Sequence, residues 1–295
     1  MDRRAFLRIG GAGAGALALG AVPGVACAGA PPASAAKAVS ASYLHSATRW
    51  PWNKLSVDEL ARESKRLGIA SVELLEIEDW PVVKKYGLTC AMGYAKAGDP
   101  RVRLTKGWNR REHHDYLLAG YREALPLAAN AGVPNLICFS GNREGLDDEK
   151  GLEVAAEGLK KLMADAERHR VNVVMELFNS KVDHPDYMCD SSAWGVKLVE
   201  RVGSERFKLL YDIYHMQIQE GDVIRTIRDH GKHFEHYHVA GVPGRHEPDS
   251  SQELFYPAVM RALAETGFKG YVAQEFIPTK DPVTALEEAV KICSV

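Results

Sequence analysis

The sequence predicts a single α/β domain, a (β/α)8 TIM barrel, and three observations lead to that prediction. Short apolar runs rich in β-branched residues alternate with longer amphipathic windows along most of the chain. Eight runs of each kind fit into about 255 residues, the usual size of such a barrel. No glycine-rich phosphate loop follows any apolar run, which argues against a nucleotide-binding fold.

The strands are predicted from the apolar runs and the helices from the windows between them. The strands are placed at 39–44, 70–75, 89–93, 135–139, 172–177, 207–212, 234–240 and 271–276. The helices are placed at 56–67, 79–86, 112–131, 151–169, 190–202, 221–230, 252–266 and 281–292. A doubly wound parallel sheet is the alternative architecture, because periodicity does not report whether a sheet closes on itself.

The amino terminus is predicted to be an export leader. Arg3 and Arg4 precede a Gly- and Ala-rich stretch of modest hydrophobicity, which resembles a twin-arginine (Tat) signal peptide over residues 1–28. A linker at 29–38 would join it to the barrel at 39–295, and the mature chain is expected to be periplasmic or extracytoplasmic. A lipid-modified Cys27 and a basic tail without a targeting role are the alternatives.

Composition and charge exclude several classes of protein. There are 37 Lys and Arg against 39 Asp and Glu; removing residues 1–28 takes away three arginines and one aspartate, and the net charge becomes −4. That balance provides no basic face for nucleic acid. The four cysteines beyond the leader have no CxxC spacing, so free, packed thiols are predicted; they are Cys90, Cys138, Cys189 and Cys293.

Four consecutive predicted strands end in a side chain that can bind a metal ion. These side chains are Glu176, Asp212, His238 and Glu275. Residues at the carboxyl ends of barrel strands face the active-site mouth. One carboxylate at such a place is more often a helix N-cap, but four neighbouring ligand types favour a shared cation, because unpaired buried charges are costly. Three carboxylates and one imidazole favour Mn²⁺, Mg²⁺ or Co²⁺.

Three further side chains are placed beside this predicted cation site. His215 lies three residues after Asp212, on what is predicted to be a loop. His236 alternates with His238, so both side chains point the same way; one could bind the cation while the other orients the ligand or is simply packed in the core. Arg245 lies in a loop shaped by two Gly and two Pro residues, where it is either a receptor for a substrate carboxylate or hydroxyl group or a solvated charge.

Three segments resemble the hydroxypyruvate isomerase family of the xylose-isomerase-like superfamily. They read LYDIYHMQ at 210–217, VPGRHEP at 242–248 and QEF at 274–276, and SVELL at 71–75 is similar to the second strand of that family. The resemblance implies metal ligands at Glu176, Asp212, His238 and Glu275. It implies substrate-binding residues at His215, Arg245 and Glu73. His238 is a departure, because these isomerases tend to have Gln there and the related ketose 3-epimerases have His.

The resemblance implies a divalent-metal-dependent isomerase of a small α-hydroxy carbonyl compound. Glu176 and Glu275 would be the catalytic acid and base on either side of an enediolate. A ketose 3-epimerase, a keto-sugar lyase or dehydratase, and a non-catalytic sugar-binding protein are the alternatives. The expected partner is a carbohydrate or hydroxy-keto acid, with no nucleic acid and, unless Cys27 is lipidated, no membrane. A homo-oligomer is also expected.

Overall fold

In the computed structural model, residues 41–96 and 103–295 are described, and they form a parallel sheet wrapped by helices. The strands are β1 (Leu44–Thr48), β2 (Ser71–Glu73), β3 (Gly93–Tyr94), β4 (Asn135–Cys138), β5 (Asn172–Glu176), β6 (Phe207–Asp212), β7 (Phe234–Val239) and β8 (Tyr271–Gln274). The helices are α1 (Val57–Arg66), α2 (Trp80–Lys84), α3 (Arg111–Ala131), α4 (Asp148–His169), α5 (Ser192–Val202), α6 (Ile213–Gln219), α7 (Val223–His230), α8 (Tyr256–Glu265) and α9 (Pro282–Ile292).

The sheet closes into a barrel through a weak seam between β2 and β3. The ladder runs β2-β1-β8-β7-β6-β5-β4-β3, and every neighbouring pair is parallel. Across the seam, Leu74 N–H donates to Met92 O at 2.7 Å and Tyr94 N–H donates to Leu75 O at 3.1 Å. Isolated parallel bridges complete the contact. The predicted (β/α)8 barrel is confirmed, and the doubly wound alternative is wrong.

The first and third strands begin later than their predicted positions. Strand β1 starts at Leu44, where the predicted strand ended, because its last residues are polar and buried rather than apolar. Ser46 Oγ donates to Ser71 O at 3.2 Å and Thr48 Oγ1 donates to Gln274 O at 3.1 Å, so the barrel interior satisfies these hydroxyls. The leader and linker predicted over 1–38 lie outside the described residues and stay predictions.

The predicted helices are present within a few residues, and one further short helix follows β6. Helix α6 occupies the segment that was predicted to be a loop, and it begins because Asp212 Oδ1 accepts the backbone N–H of His215 at 3.2 Å. A helix of seven residues is too short to show a periodic apolar pattern in the sequence. The helix therefore positions His215 firmly at the carboxyl end of the barrel.

The four cysteines outside the predicted leader lie in the interior of the fold. Cys90, Cys138, Cys189 and Cys293 are buried and free, as predicted. Within 41–96 and 103–295, no helix has both the length and the apolar character needed to cross a bilayer.

Candidate functional site

The four side chains predicted to be metal ligands lie together at the carboxyl end of the barrel. Glu176 ends β5, Asp212 ends β6, His238 is next to last in β7, and Glu275 directly follows β8. Each can offer a ligand atom, and these atoms all lie within 4.8 Å of one another. All four residues are at least 97% buried. Adjacent parallel strands thus bring residues that are almost 100 positions apart into one cluster.

The imidazole of His238 lies at the centre of the carboxylates. Its Nδ1 is 2.8 Å from Glu275 Oε2, 3.3 Å from Glu176 Oε1 and 4.0 Å from Asp212 Oδ2. The guanidinium of Arg245 approaches from the other side, with Nη2 at 2.6 Å from Glu275 Oε2 and 3.5 Å from Asp212 Oδ2. Two basic groups therefore face three carboxylates in an almost fully buried cluster.

The two oxygens of Asp212 have different partners. Oδ1 caps helix α6, as described above, whereas Oδ2 faces the cluster and lies 3.6 Å from His215 Nε2. Asp212 is thus both the N-cap of α6 and a candidate ligand. Its backbone position is set by the strand, and its side-chain direction is set by the helix that it caps.

His215 is fully buried and is held by a residue that the sequence interpretation missed. Asn179 Nδ2 donates to His215 Nδ1 at 2.7 Å, which leaves His215 Nε2 turned toward Asp212. In the part of the chain that the structure describes, this Nε2 has no hydrogen-bond partner. Burial lowers the pKa of His215 well below 6.5, and the nearby Arg245 charge adds to the shift. The ring is therefore neutral.

Arg245 lies between two aromatic rings at the mouth. Its Cζ is 5.0 Å from the ring centre of Trp50 and 5.2 Å from that of Tyr214. Trp50 Nε1 also donates to Glu275 Oε1 at 2.7 Å. Trp50 follows β1. The sequence interpretation missed it because the first strand was predicted to end at residue 44, before its true end at Thr48. Correct placement of that strand would have identified an indole beside the site.

Glu73 has surroundings that differ from those of the substrate contact implied by the resemblance. It ends β2 and has no exposed surface. Its Oε1 accepts hydrogen bonds from His236 Nε2 at 2.7 Å and from His238 Nε2 at 2.9 Å. The carboxylate therefore faces two buried histidines, because the interior of the barrel at this level is filled by β7 side chains.

Burial and mutual repulsion alter the acidity of the clustered groups. Burial raises the pKa of Glu176 to about 7 and that of Asp212 to about 8, and the Glu275 charge adds to both shifts. Burial alone would raise the pKa of Glu275, but His238 and Arg245 outweigh it and hold that pKa well below its usual range. The surrounding carboxylates also outweigh burial at His238 and raise its pKa well above 6.5.

The cluster fits a hard divalent cation. Three carboxylates and one imidazole are the donor types that Mn²⁺, Mg²⁺ and Co²⁺ accept, and thiolates are not among them. Glu176 Oε1 is buried and, among the described residues, no donor hydrogen-bonds to it. An oxygen in that state is available to a cation. Glu176, Asp212 and His238 keep protons because their pKa values are raised, and they would have to release these protons when a cation binds.

In protein freed of divalent cations, raising the pH from 7 to 8 is expected to lower the melting temperature. The folded pKa values of Asp212 and His238 exceed their ordinary values of 3.8 and 6.5, so the folded site keeps protons that the unfolded chain releases. Each such group costs up to about 1.4 kcal/mol of stability per pH unit until its folded pKa is reached. Thermal unfolding followed by circular dichroism with a chelator present should show a fall of several degrees.

Measuring above pH 7 avoids the opposite effect on stability, which comes from buried neutral histidines such as His215. Their lowered pKa values make stability rise with pH, but only up to about 6.5, where the unfolded chain loses its histidine protons. Asp212→Asn is the control, because an amide still caps helix α6 but does not titrate. An equally steep fall in wild type and in this variant would contradict the raised pKa of Asp212.

Known proteins resemble this chain in sequence. The family described as xylose isomerase-like TIM barrel matches residues 36–293. The putative hydroxypyruvate isomerase of Homo sapiens is 30% identical over 176 residues, which cover 57% of this chain and 62% of the human protein. The 2-oxo-tetronate isomerase of Haemophilus influenzae is 28% identical over 235 residues, which cover 75% of this chain and 88% of that protein.

A solved structure also resembles the barrel. The AP endonuclease of family 2 from Brucella melitensis superposes with a TM-score of 0.76 at 25% identity, covering 84% of this chain and 98% of that one. The match to the human relative spans less than two thirds of that protein, whereas the family match spans nearly all of the barrel. The chain belongs to the family of xylose isomerase-like TIM barrels.

Proposed function

We propose that this protein is a divalent-cation-dependent isomerase of a small α-hydroxy carbonyl compound. One observation carries the proposal: Glu176 and Glu275, from strands three positions apart, reach the same nitrogen of His238 within a closed four-ligand cluster. Two carboxylates converging from different sides are suited to removing a proton and returning it. The relatives named hydroxypyruvate isomerase and 2-oxo-tetronate isomerase support an activity of this type.

The residues of the site would have two roles, cation binding and proton transfer. Glu176, Asp212, His238 and Glu275 would hold the cation, and their donor atoms suit Mn²⁺, Mg²⁺ or Co²⁺. When bound, a divalent cation polarises the carbonyl and hydroxyl oxygens of the substrate and acidifies the adjacent C–H bond. Glu176 and Glu275 would then transfer the proton, one as base and the other as acid.

Arg245 and His215 would orient the substrate. The Arg245 side chain is 13% exposed and its Cζ lies 5.0 Å and 5.2 Å from the ring centres of Trp50 and Tyr214, so its exposed part could bind a substrate carboxylate or hydroxyl group at the rim. Neutral His215, held by Asn179, directs Nε2 toward the cluster. Rigid donors of this kind lower the cost of holding charge as it develops on substrate oxygens.

A ketose 3-epimerase is the second candidate. The observation that favours it is the imidazole of His238 at the third ligand position, where the resemblance expects Gln in hydroxypyruvate isomerases. Return of the proton to the neighbouring carbon gives isomerisation, and return to the opposite face of the same carbon gives epimerisation. The two candidates share the same residues and differ in where the substrate carbon lies between Glu176 and Glu275.

The proposal also includes where the protein works. The twin-arginine pattern of residues 1–28 favours export to the periplasm or another extracytoplasmic space. The substrate would then be an unphosphorylated carbohydrate or hydroxy-keto acid, since phosphorylated sugars are intracellular. The near-neutral charge of the chain favours such a small molecule over nucleic acid. Assembly into a homo-oligomer is part of the proposal as well.

Proton exchange with solvent tests the proposed chemistry directly. The Mn²⁺-loaded protein is incubated in D₂O with hydroxypyruvate, ketopentoses, ketohexoses and 3-keto-glycosides, and each mixture is followed by NMR and mass spectrometry. We expect at least one compound to gain a single deuteron at a carbon next to its carbonyl group and to be converted into an isomer, because the proton passes through an exchangeable carboxyl group.

The pattern of products separates the candidates. A product with its carbonyl group moved supports the isomerase, and one with inverted configuration at the same carbon supports the epimerase. A product that has lost water or been cleaved supports a dehydratase or lyase. The absence of exchange in every compound, in protein shown to hold Mn²⁺, would contradict enzymatic proton transfer and favour a sugar-binding protein.

A further inference from the structure

A second buried layer lies directly beneath the candidate cation site. It consists of Glu73 from β2 and His236 from β7, and both side chains have no exposed surface. Glu73 Oε1 accepts from His236 Nε2 at 2.7 Å and from His238 Nε2 at 2.9 Å. The two strands are separated in the barrel by β1 and β8, so these contacts cross the interior. A side chain from the far wall thus reaches one member of the cluster.

The contact with Glu73 determines which nitrogen of His238 faces the cluster. A neutral imidazole has one N–H group, and the other nitrogen keeps a lone pair. Both nitrogens of His238 face carboxylates that can only accept, Nε2 beside Glu73 and Nδ1 beside Glu275. A cation among the other three ligands would replace the proton on Nδ1, so the neutral imidazole that binds it keeps its one proton on Nε2, beside Glu73. Nδ1 is then the ligand atom, and it is the one that lies within 4.0 Å of the three carboxylates.

His236 in turn holds Glu73 in place. Its Nε2 donates to the same oxygen, and its ring is almost perpendicular to that of His238, at 83° with 5.2 Å between ring centres. The two histidines alternate along β7 and therefore point the same way. The Glu73 carboxylate accepts hydrogen bonds from two histidines on one strand, and these bonds restrict its rotation. A carboxylate held in this way also restricts the orientation of the His238 ring.

We propose that Glu73, held by His236, is a positioning residue that fixes the tautomer and orientation of His238 and thereby tightens divalent-cation binding. This inference rests on the proposed function insofar as the cation binds at Glu176, Asp212, His238 and Glu275. A hydrogen-bond acceptor on the far nitrogen of a metal-binding histidine raises ligand affinity, and its loss weakens binding by about 10–100-fold.

The same three residues also admit a different arrangement. Glu73, His236 and His238 can each offer an atom within 4.8 Å of the others, a spacing that would suit a cation of their own. The two short contacts to the single oxygen Oε1 favour hydrogen bonds instead. The two arrangements differ in stoichiometry, because hydrogen bonding leaves one cation per chain and a second site would give two.

Cation affinity of the full chain tests the inference. Wild type, Glu73→Gln and His236→Phe are freed of metal and titrated with Co²⁺ and Mn²⁺ by calorimetry, with the melting temperature of each metal-free variant measured to check folding. We expect one ion per chain throughout and a Kd raised about 10–100-fold in both variants. Glu76→Gln is the matched control, because Glu76 follows the same strand but pairs with Arg103 instead.

A second measurement does not depend on whether the variants fold. In the Zn²⁺-loaded wild type labelled with ¹⁵N-histidine, we expect the His238 proton on Nε2 and the metal on Nδ1. A proton on Nδ1, two ions per chain, or wild-type affinity in folded Glu73→Gln and His236→Phe would overturn the inference while leaving the proposed function intact. A wild type that binds none of these ions would contradict the proposed function and this inference together.

Discussion

Replacing Glu275 by Gln is expected to reduce turnover by about 10⁴-fold while the barrel stays folded. The carboxylate accepts hydrogen bonds from Trp50, His238 and Arg245, so it is held in one orientation at the centre of the site. An amide has the same shape, but it cannot take up a proton and is a poor ligand for a hard cation. Both the proton transfer and the cation site therefore lose an essential group.

Glu176→Gln is expected to have an effect of similar size, because in the proposed mechanism one carboxylate removes a proton and the other returns one. Turnover is measured on the substrate found by deuterium exchange, and circular dichroism and thermal unfolding check the fold. Glu287→Gln on the exposed face of α9 is the matched control, since it makes the same change far from the mouth. Near-wild-type turnover in either purified site variant would contradict the proposed mechanism.

Removing divalent cations is expected to abolish turnover and to lower the melting temperature, and adding Mn²⁺ should restore both. Three buried carboxylates share the site with one imidazole and one guanidinium, so a bound dication would relieve repulsion that the protein otherwise offsets by retaining protons. At a free cation concentration of about 1,000 times Kd, mass action adds about 4 kcal/mol of stability. Turnover and thermal unfolding are measured after chelation and again after Mn²⁺ is added.

Asp212→Asn separates the cation effect from general salt effects. The amide still caps α6 but offers a weaker ligand, so Mn²⁺ should raise the melting temperature of this variant much less than that of wild type. Elemental analysis must show that chelation has removed the metal from wild type. Full turnover in protein shown to be free of metal would contradict the cation dependence.

The cluster of four candidate ligands could be predicted because each lies near the carboxyl end of a predicted strand, and two of them directly follow an unbroken apolar run. Glu176 and Asp212 terminate strands whose preceding residues are almost wholly buried, so the change from apolar to ionisable marks the mouth of the barrel. Parallel strands of a barrel present their carboxyl ends on one face, and this rule places the residues together without knowledge of distances.

The supporting residues could not be predicted in the same way. Trp50 lies after a strand whose interior is polar, and Asn179 lies in the loop after β5 with no periodic pattern around it. The partnership of Glu73 with His236 and His238 joins opposite walls of the barrel, and nothing local in the sequence indicates it. Contacts across a barrel depend on its closure and register, which are properties of the whole sheet.

The seam between β2 and β3 has a consequence for how the barrel tolerates motion. All four candidate ligands come from β5 to β8, which are joined by continuous ladders, whereas the interrupted pairing lies on the opposite wall. Separation of β2 from β3 would break none of the ladders that join those four strands. Glu73 ends β2, which borders this junction, and its hydrogen bond with His238 links that wall of the barrel to the candidate ligands.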